Sequence, residues 1–151
     1  MSSYKQGFYK PRNPLKYKGK SASNIVYRSG WEYKFMRYLD EHPDVVFWAS
    51  EEPWFCIPYR DPTSGRQRRY FPDFWFQNKD GVQFLVELKP YEQTIPPKQK
   101  LLKSGKPDKY TIKKLMTFAI NTAKWEAARS VCEQKNWNFT IITEKQLKSL
   151  K

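Results

Sequence analysis

The run from Arg69 to Pro90 constrains this chain more than any other. Arg69-Tyr70-Phe71-Pro72-Asp73-Phe74-Trp75-Phe76 and the segment Val82 to Lys89 both read as strands, and Asn78-Lys79-Asp80-Gly81 between them is turn sequence. With Lys79, Asp80 and Gly81 as the loop, and Gly81 taking a positive φ, Asn78 pairs with Val82 and Asp73 falls opposite Glu87. Strand side chains alternate, so Lys89 shares the side of Glu87, while Phe74, Phe76, Phe84, Val86 and Leu88 form an apolar core face. The Asp73 face carries two carboxylates and an ammonium among Trp75 and Leu85. Like charges directly across a strand pair cost up to about 1 kcal/mol, so this face asks for a neutralising cation. Mg²⁺ takes carboxylate oxygens and keeps several waters, which suits phosphate chemistry. A surface ion pair between Glu87 and Lys89 is the simpler alternative.

The chain of 151 residues is expected to form one domain with a real core. At 17% aromatic and 39% hydrophobic residues it is too apolar for disorder. No apolar run approaches the roughly 20 residues of a membrane span, and the start has no secretory h-region. The expectation is a cytoplasmic protein without a membrane partner. Cys56 and Cys132, with the single His42, give no zinc spacing and read as reduced thiols. A net charge of +13 points to a polyanionic partner, DNA or RNA before a membrane surface; solubility alone is the bland alternative.

Residues 1–24 read as a basic, aromatic arm, broken by Pro11 and Pro14. Its rings are equally suited to stacking on bases and to packing against protein. A helix is expected from Arg28-Ser29-Gly30-Trp31-Glu32 to about Glu41, with Trp31, Phe35, Tyr38 and Leu39 as its buried stripe. Ser29 and Glu32 fit a capping box, the structural use of Glu32. Short strands follow at Val45 to Ala49 and Phe55 to Tyr59. Arg66, Arg68 and Arg69 then open the central hairpin, facing solvent or the rim of an anion site. Pro90 to Lys109 is long and irregular, with five lysines from Lys98 onward, including Lys100 and Lys103. Loops of that length tend to be functional or mobile, and this one suits a phosphate-contacting flap. Thr111 to Lys135 is the strongest helix, with Ile112, Leu115, Met116, Ala119, Ile120, Ala123, Ala127 and Val131 as its stripe. A strand from Asn138 to Thr143 and a short helix capped by Thr143 and Gln146 complete the order. The sum is an α/β fold, a mixed sheet with helices on its faces.

That order, with Pro72-Asp73, thirteen residues, then Glu87-Leu88-Lys89, resembles the PD-(D/E)XK nuclease superfamily with its restriction-endonuclease-like core. Tyr27-Arg28-Ser29-Gly30-Trp31-Glu32 resembles the Arg-Ser-x-x-Glu opening helix of its TnsA-like transposon endonucleases and of phage junction-resolving endonucleases. A narrower likeness covers Tyr4 to Pro11, Arg28 to Glu32 and Arg69 to Phe74. It is to small TnsA-like nucleases of large tailed phages that act late in head assembly.

The resemblance implies a Mg²⁺-dependent DNA endonuclease or end-trimming enzyme, with Mn²⁺ able to substitute, that leaves a 5′-phosphate. Asp73, Glu87 and the backbone carbonyl of Leu88 would ligate metal, Lys89 would orient the attacking water, and Glu32 would join as a further ligand. Arg28, Arg66, Arg68, Arg69, Lys98, Lys100 and Lys103 are the expected DNA contacts. The domain would span residues 25–151. Capsid portal or neck proteins are the implied partners, and the host cytoplasm, with retention in the virion head, the implied location. A junction resolvase, a transposon end-cutting subunit and a non-enzymatic capsid-vertex protein on a nuclease fold stay open as alternatives.

Overall fold

The structure, a computed structural model, describes residues 6–150. In chain order it holds β1 (Gly7–Tyr9), β2 (Ile25–Tyr27), α1 (Gly30–Glu41), β3 (Val45–Ser50), β4 (Ile57–Arg60), β5 (Gln67–Tyr70), β6 (Phe74–Asn78), β7 (Gln83–Leu88), α2 (Lys109–Lys135), β8 (Asn138–Ile142) and α3 (Glu144–Leu147). The central sheet has the order β3-β6-β7-β8. Its first two pairings are antiparallel, and β7 with β8 is parallel. A parallel pair needs a long crossover, which the flap and α2 supply. The sheet is mixed and flanked by helices, an α/β fold.

The β6–β7 hairpin has the register read from its turn. Phe74 pairs with Val86 and Trp75 with Leu85, the Asn78 N–H donates to the Val82 carbonyl at 3.0 Å, and Gly81 has φ 82°. Both faces of this hairpin are buried. On one, α1 packs Phe35 against Phe74, ring centroids 5.1 Å apart. On the other, Trp54 stands edge-on to Trp75 with ring centroids 4.8 Å apart, Tyr70 of the β4–β5 ribbon reaches Glu87, and α2 packs on β4 and β8. Lys124 of α2 stands over the rings of Tyr59 and Tyr70 at 5.8 and 5.6 Å. The ribbon is a separate two-stranded sheet, because the chain leaves β5 at Tyr70 and breaks step through Phe71, Pro72 and Asp73 before β6 begins.

The stripe on α1 is Phe35, Met36, Leu39 and Asp40, with Trp31 and Tyr38 half-buried. That on α2 differs from its sequence pattern. Thr111, Asn121, Trp125, Ala128 and Cys132 are buried, Ile120, Ala123, Ala127 and Val131 pack part-buried beside them, and Ile112 and Met116 stay 44% and 46% exposed. The cause is length. Twenty-seven residues make a helix about 40 Å long, longer than the four- and five-residue strands β4 and β8 that it packs against. In its first turns Thr111 is buried under Lys100, whose N–H donates to its hydroxyl, while Ile112 and Met116 have no strand over them. Asn136 ends the helix in the left-handed region at φ 59°, a conformation asparagine tolerates. Thr143 and Gln146 form the expected capping box on α3.

Of the two uses open to the aromatics of the arm, Tyr9 and Tyr17 pack on the domain. β1 pairs with β2, and both tyrosines stand edge-on to the buried Trp48. Asp40, wholly buried on α1, anchors the segment. Its carboxylate accepts from the Tyr9 hydroxyl at 2.7 Å and from the N–H groups of Arg12 and Asn13 at 2.7 and 3.0 Å. Further along, Tyr17 forms an isolated bridge with Trp48, and the Lys18 N–H donates to the Trp48 carbonyl. Gly19 is required where it lies, since a Cβ there would collide with the Glu52 carboxylate. That carboxylate accepts from the Tyr17 hydroxyl and the Lys20 N–H.

Candidate metal centre

Three elements bring carboxylates to one end of the sheet. Asp73 precedes β6 and is held there by its own Oδ2, which accepts from the Leu88 N–H on β7 at 2.7 Å. Glu32 projects from the first turn of α1. Its Oε1 accepts from the Arg28 N–H at 3.2 Å, while its own N–H donates to the Ser29 hydroxyl at 3.1 Å. The helix is thus capped by Ser29, as expected, but the Glu32 carboxylate turns to Arg28 rather than closing a reciprocal pair with Ser29. Cap and site share one residue.

The third carboxylate is Glu51, which the sequence did not single out. β3 pairs with β6 through Ser50 and Phe74, so the next residue arrives beside Asp73, and the Glu51 N–H donates to the Asp73 carbonyl at 3.2 Å. Glu51 takes φ 48°, a left-handed backbone uncommon outside glycine and frequent at functional sites. One oxygen each from Glu32, Glu51 and Asp73 lies within 4.8 Å of the others. The Arg28 guanidinium sits on Glu51 Oε1 at 2.7 Å.

Glu87 faces the same space but is satisfied by the chain. Its Oε1 accepts from the buried Tyr70 hydroxyl at 2.5 Å, and its Oε2 lies 3.3 Å from Lys89 Nζ. The Asp73–Glu87–Lys89 grouping inferred from alternation is therefore assembled, with Tyr70 as an addition from the ribbon. The Leu88 N–H is committed to Asp73.

Electrostatics mark this cluster as unbalanced. Desolvation pushes the Asp73 carboxyl well above the usual range, Glu87 adds to the rise, and the Leu88 N–H opposes it. Glu32 is raised by burial first, with Glu51 and Glu87 adding and the Arg28 N–H opposing. Tyr70 is raised by burial and by the neighbouring Glu87 charge. Carboxylates that converge under such strain fit a divalent cation, a hard ion that prefers oxygen donors.

The expected DNA contacts divide into three groups. Arg28 is part of the cluster through Glu51. Arg66, Arg68 and Arg69 lie exposed on and before β5, but Arg68 is held by Asp61 at 3.1 Å and Arg69 lies over the Phe71 ring. Lys98, Lys100 and Lys103 are exposed on the flap.

A mixed sheet with an acidic residue entering one strand, another on its partner and a lysine two positions on defines a restriction-endonuclease-like phosphodiesterase domain. The model of the TnsA-like endonuclease N-terminal family matches residues 42–144, and the chain belongs to that family. It is also similar to the head completion nuclease of Enterobacteria phage T4, 37% identical over 144 residues, which cover 95% of this chain and 94% of that protein. Glu32 and Arg28 lie ahead of the family match; the structure brings them to it.

Proposed function

We propose that this chain is a divalent-metal-dependent DNA endonuclease of phage head completion. It acts on packaged DNA or at the head vertex before the tail joins. The observation that carries the reading is the convergence of Glu32, Glu51 and Asp73 beside a glutamate already paired with Lys89. Relationship to the T4 head completion nuclease over nearly the whole chain supports the setting. In this reading residues 25–151 are the catalytic domain and residues 1–24 a basic arm. Portal or neck proteins of the capsid are partners, and the protein works in the host cytoplasm, with retention in the head.

Asp73, Glu32 and Glu51 would hold Mg²⁺ or Mn²⁺, with Glu87 and the Leu88 carbonyl completing the set. When bound, the ion supplies Lewis-acid stabilisation of charge on the phosphodiester. The remaining work belongs to the chain. Lys89, oriented by Glu87, places a positive charge where negative charge grows during displacement, and it directs the attacking water. Tyr70 fixes the rotamer of Glu87 by holding its other oxygen. Arg28 and the exposed basic residues neutralise phosphates on either side of the cut. The product carries a 5′-phosphate.

The test is cleavage of linear, supercoiled and four-way-junction DNA in Mg²⁺, Mn²⁺ or EDTA, with Asp73→Ala beside the wild type. Metal-dependent cutting that the folded variant lacks is the expected result. Wild-type rates from that variant would remove the assignment.

A further inference from the structure

The segment that leaves β7 after Lys89 does not return directly to the sheet. It forms a short 3-10 turn at Tyr91–Gln93, continues without regular structure, and is pinned by a bridge between Leu101 and Pro107 before α2 begins. Between this segment and the overhanging first half of α2 lies a cavity of about 680 Å³, within the usual range for ligand sites. Lysines stand on both walls, Lys98 and Lys100 from the flap, Lys113 and Lys114 from the helix, while Ile95 and Phe118 supply apolar lining. Asn121 also lines it. It is only 8% exposed, and its side-chain amide has no hydrogen-bond partner among the described residues. With no partner among them, that amide keeps both its donors and its acceptor for whatever enters the cavity.

From this arrangement we infer that the cavity receives unpaired nucleotides of a DNA strand next to the scissile position, an inference that rests on the nuclease reading. The chemistry matches term by term. A single strand presents phosphates to the two lysine walls and a flat base to Ile95 and Phe118. The edge of that base offers both a donor and an acceptor to the Asn121 amide. A duplex cannot do this, because its bases stay stacked and their edges paired. An acidic peptide would answer the lysines but would bring charge onto the apolar lining. The helix that carries Asn121 also reaches the residues around Glu87. Lys124, three residues beyond Asn121, stands over the Tyr70 ring, and the Tyr70 hydroxyl holds Glu87.

The experiment is fluorescence anisotropy in EDTA on an Asp73→Ala background, so that binding is read without turnover. The probes are a labelled oligothymidine of about 16 nucleotides, a hairpin duplex of equal length and a glutamate- and leucine-rich peptide. Asn121→Leu is expected to weaken strand binding about tenfold, the scale of one lost base contact, and to leave duplex binding unchanged. Lys98→Ala and Lys113→Ala, far from the fold's core, are each expected to lower the salt slope of strand binding by about 0.7. Unchanged strand affinity in folded Asn121→Leu, unchanged slopes in both lysine variants, or a peptide bound more tightly than the strand would each overturn the inference. Failure of the nuclease reading would look different: the strand binds as expected, yet no DNA is cut by the wild type.

Discussion

Asp40 and Asp73 are acids that the fold has drawn away from bulk water, and their surroundings are opposite. Asp40 sits at the far end of α1 with three donors on its two oxygens, and it ties the N-terminal segment to the domain. Asp73 has a single N–H and faces Glu32 and Glu51, with Glu87 near enough to raise its pKa. One carboxylate is completed by its own chain; the other is left for something the chain does not contain. Burial of an acid alone thus says little about function. What separates the two is whether their hydrogen bonds and charge are already answered.

That contrast can be broken at either end. The largest effect is expected from Asp73→Asn. It should lower DNA cleavage by a factor on the order of 10³, the scale of losing a principal electrostatic element of a site. Its melting temperature should equal or exceed that of wild type, because a repulsive charge has gone. A variant that melts early would place Asp73 with Asp40, as structure. Asp40→Ala is expected to do the reverse. It leaves the Tyr9 hydroxyl and two N–H groups without their acceptor, a loss of about 3 kcal/mol in urea unfolding, with the cleavage rate per folded molecule unchanged.

Glu51→Gln sharpens the comparison within the cluster. It keeps size and one acceptor while removing a charge, so the metal concentration for half-maximal cleavage should rise about tenfold, as when a ligand set is weakened. Titration with Mn²⁺ reads this, and an unchanged midpoint would leave Glu51 as only the partner of Arg28. The smallest effect concerns Asp61, a third acid answered by its chain. Bonds from the Thr63 hydroxyl and N–H, with help from Arg68, hold its carboxyl down to about 2. Its folded pKa lies below the unfolded value of about 3.9, so its stabilising contribution is present above that value. It is lost as pH falls from about 4 through about 2. Melting curves of wild type and Asp61→Asn should therefore converge over that window and separate above it.

The hairpin was legible because local rules fix it. Asn78 to Gly81 determine the turn, the turn determines the register, and the register places Asp73 against Glu87. The opening of α1 was legible for the same reason, since Ser29 caps the helix that carries Glu32. Glu51 was not, because its position follows from the pairing of Ser50 with Phe74 across two dozen residues, and nothing in Ser50-Glu51-Glu52-Pro53 distinguishes a site residue from ordinary surface charge. Its left-handed backbone is equally silent in sequence. Tyr70 was hidden by the break between β5 and β6. For α2, periodicity correctly announced a helix with an apolar side, but the identity of what covers that side depends on where the sheet stops.

The attachment of residues 9–20 has a consequence beyond anchoring. β3 stands at one end of the sheet order, and a bare outer strand offers its peptide groups to any other extended chain. The Tyr17 bridge and the Lys18 N–H occupy those groups at Trp48, close to the middle of the strand. The segment is thus a guard against self-association as well as a source of positive charge. A version of the protein shortened to begin after Lys20 would carry an unguarded border, and at the high concentrations of an assembling virus it would join to its own copies.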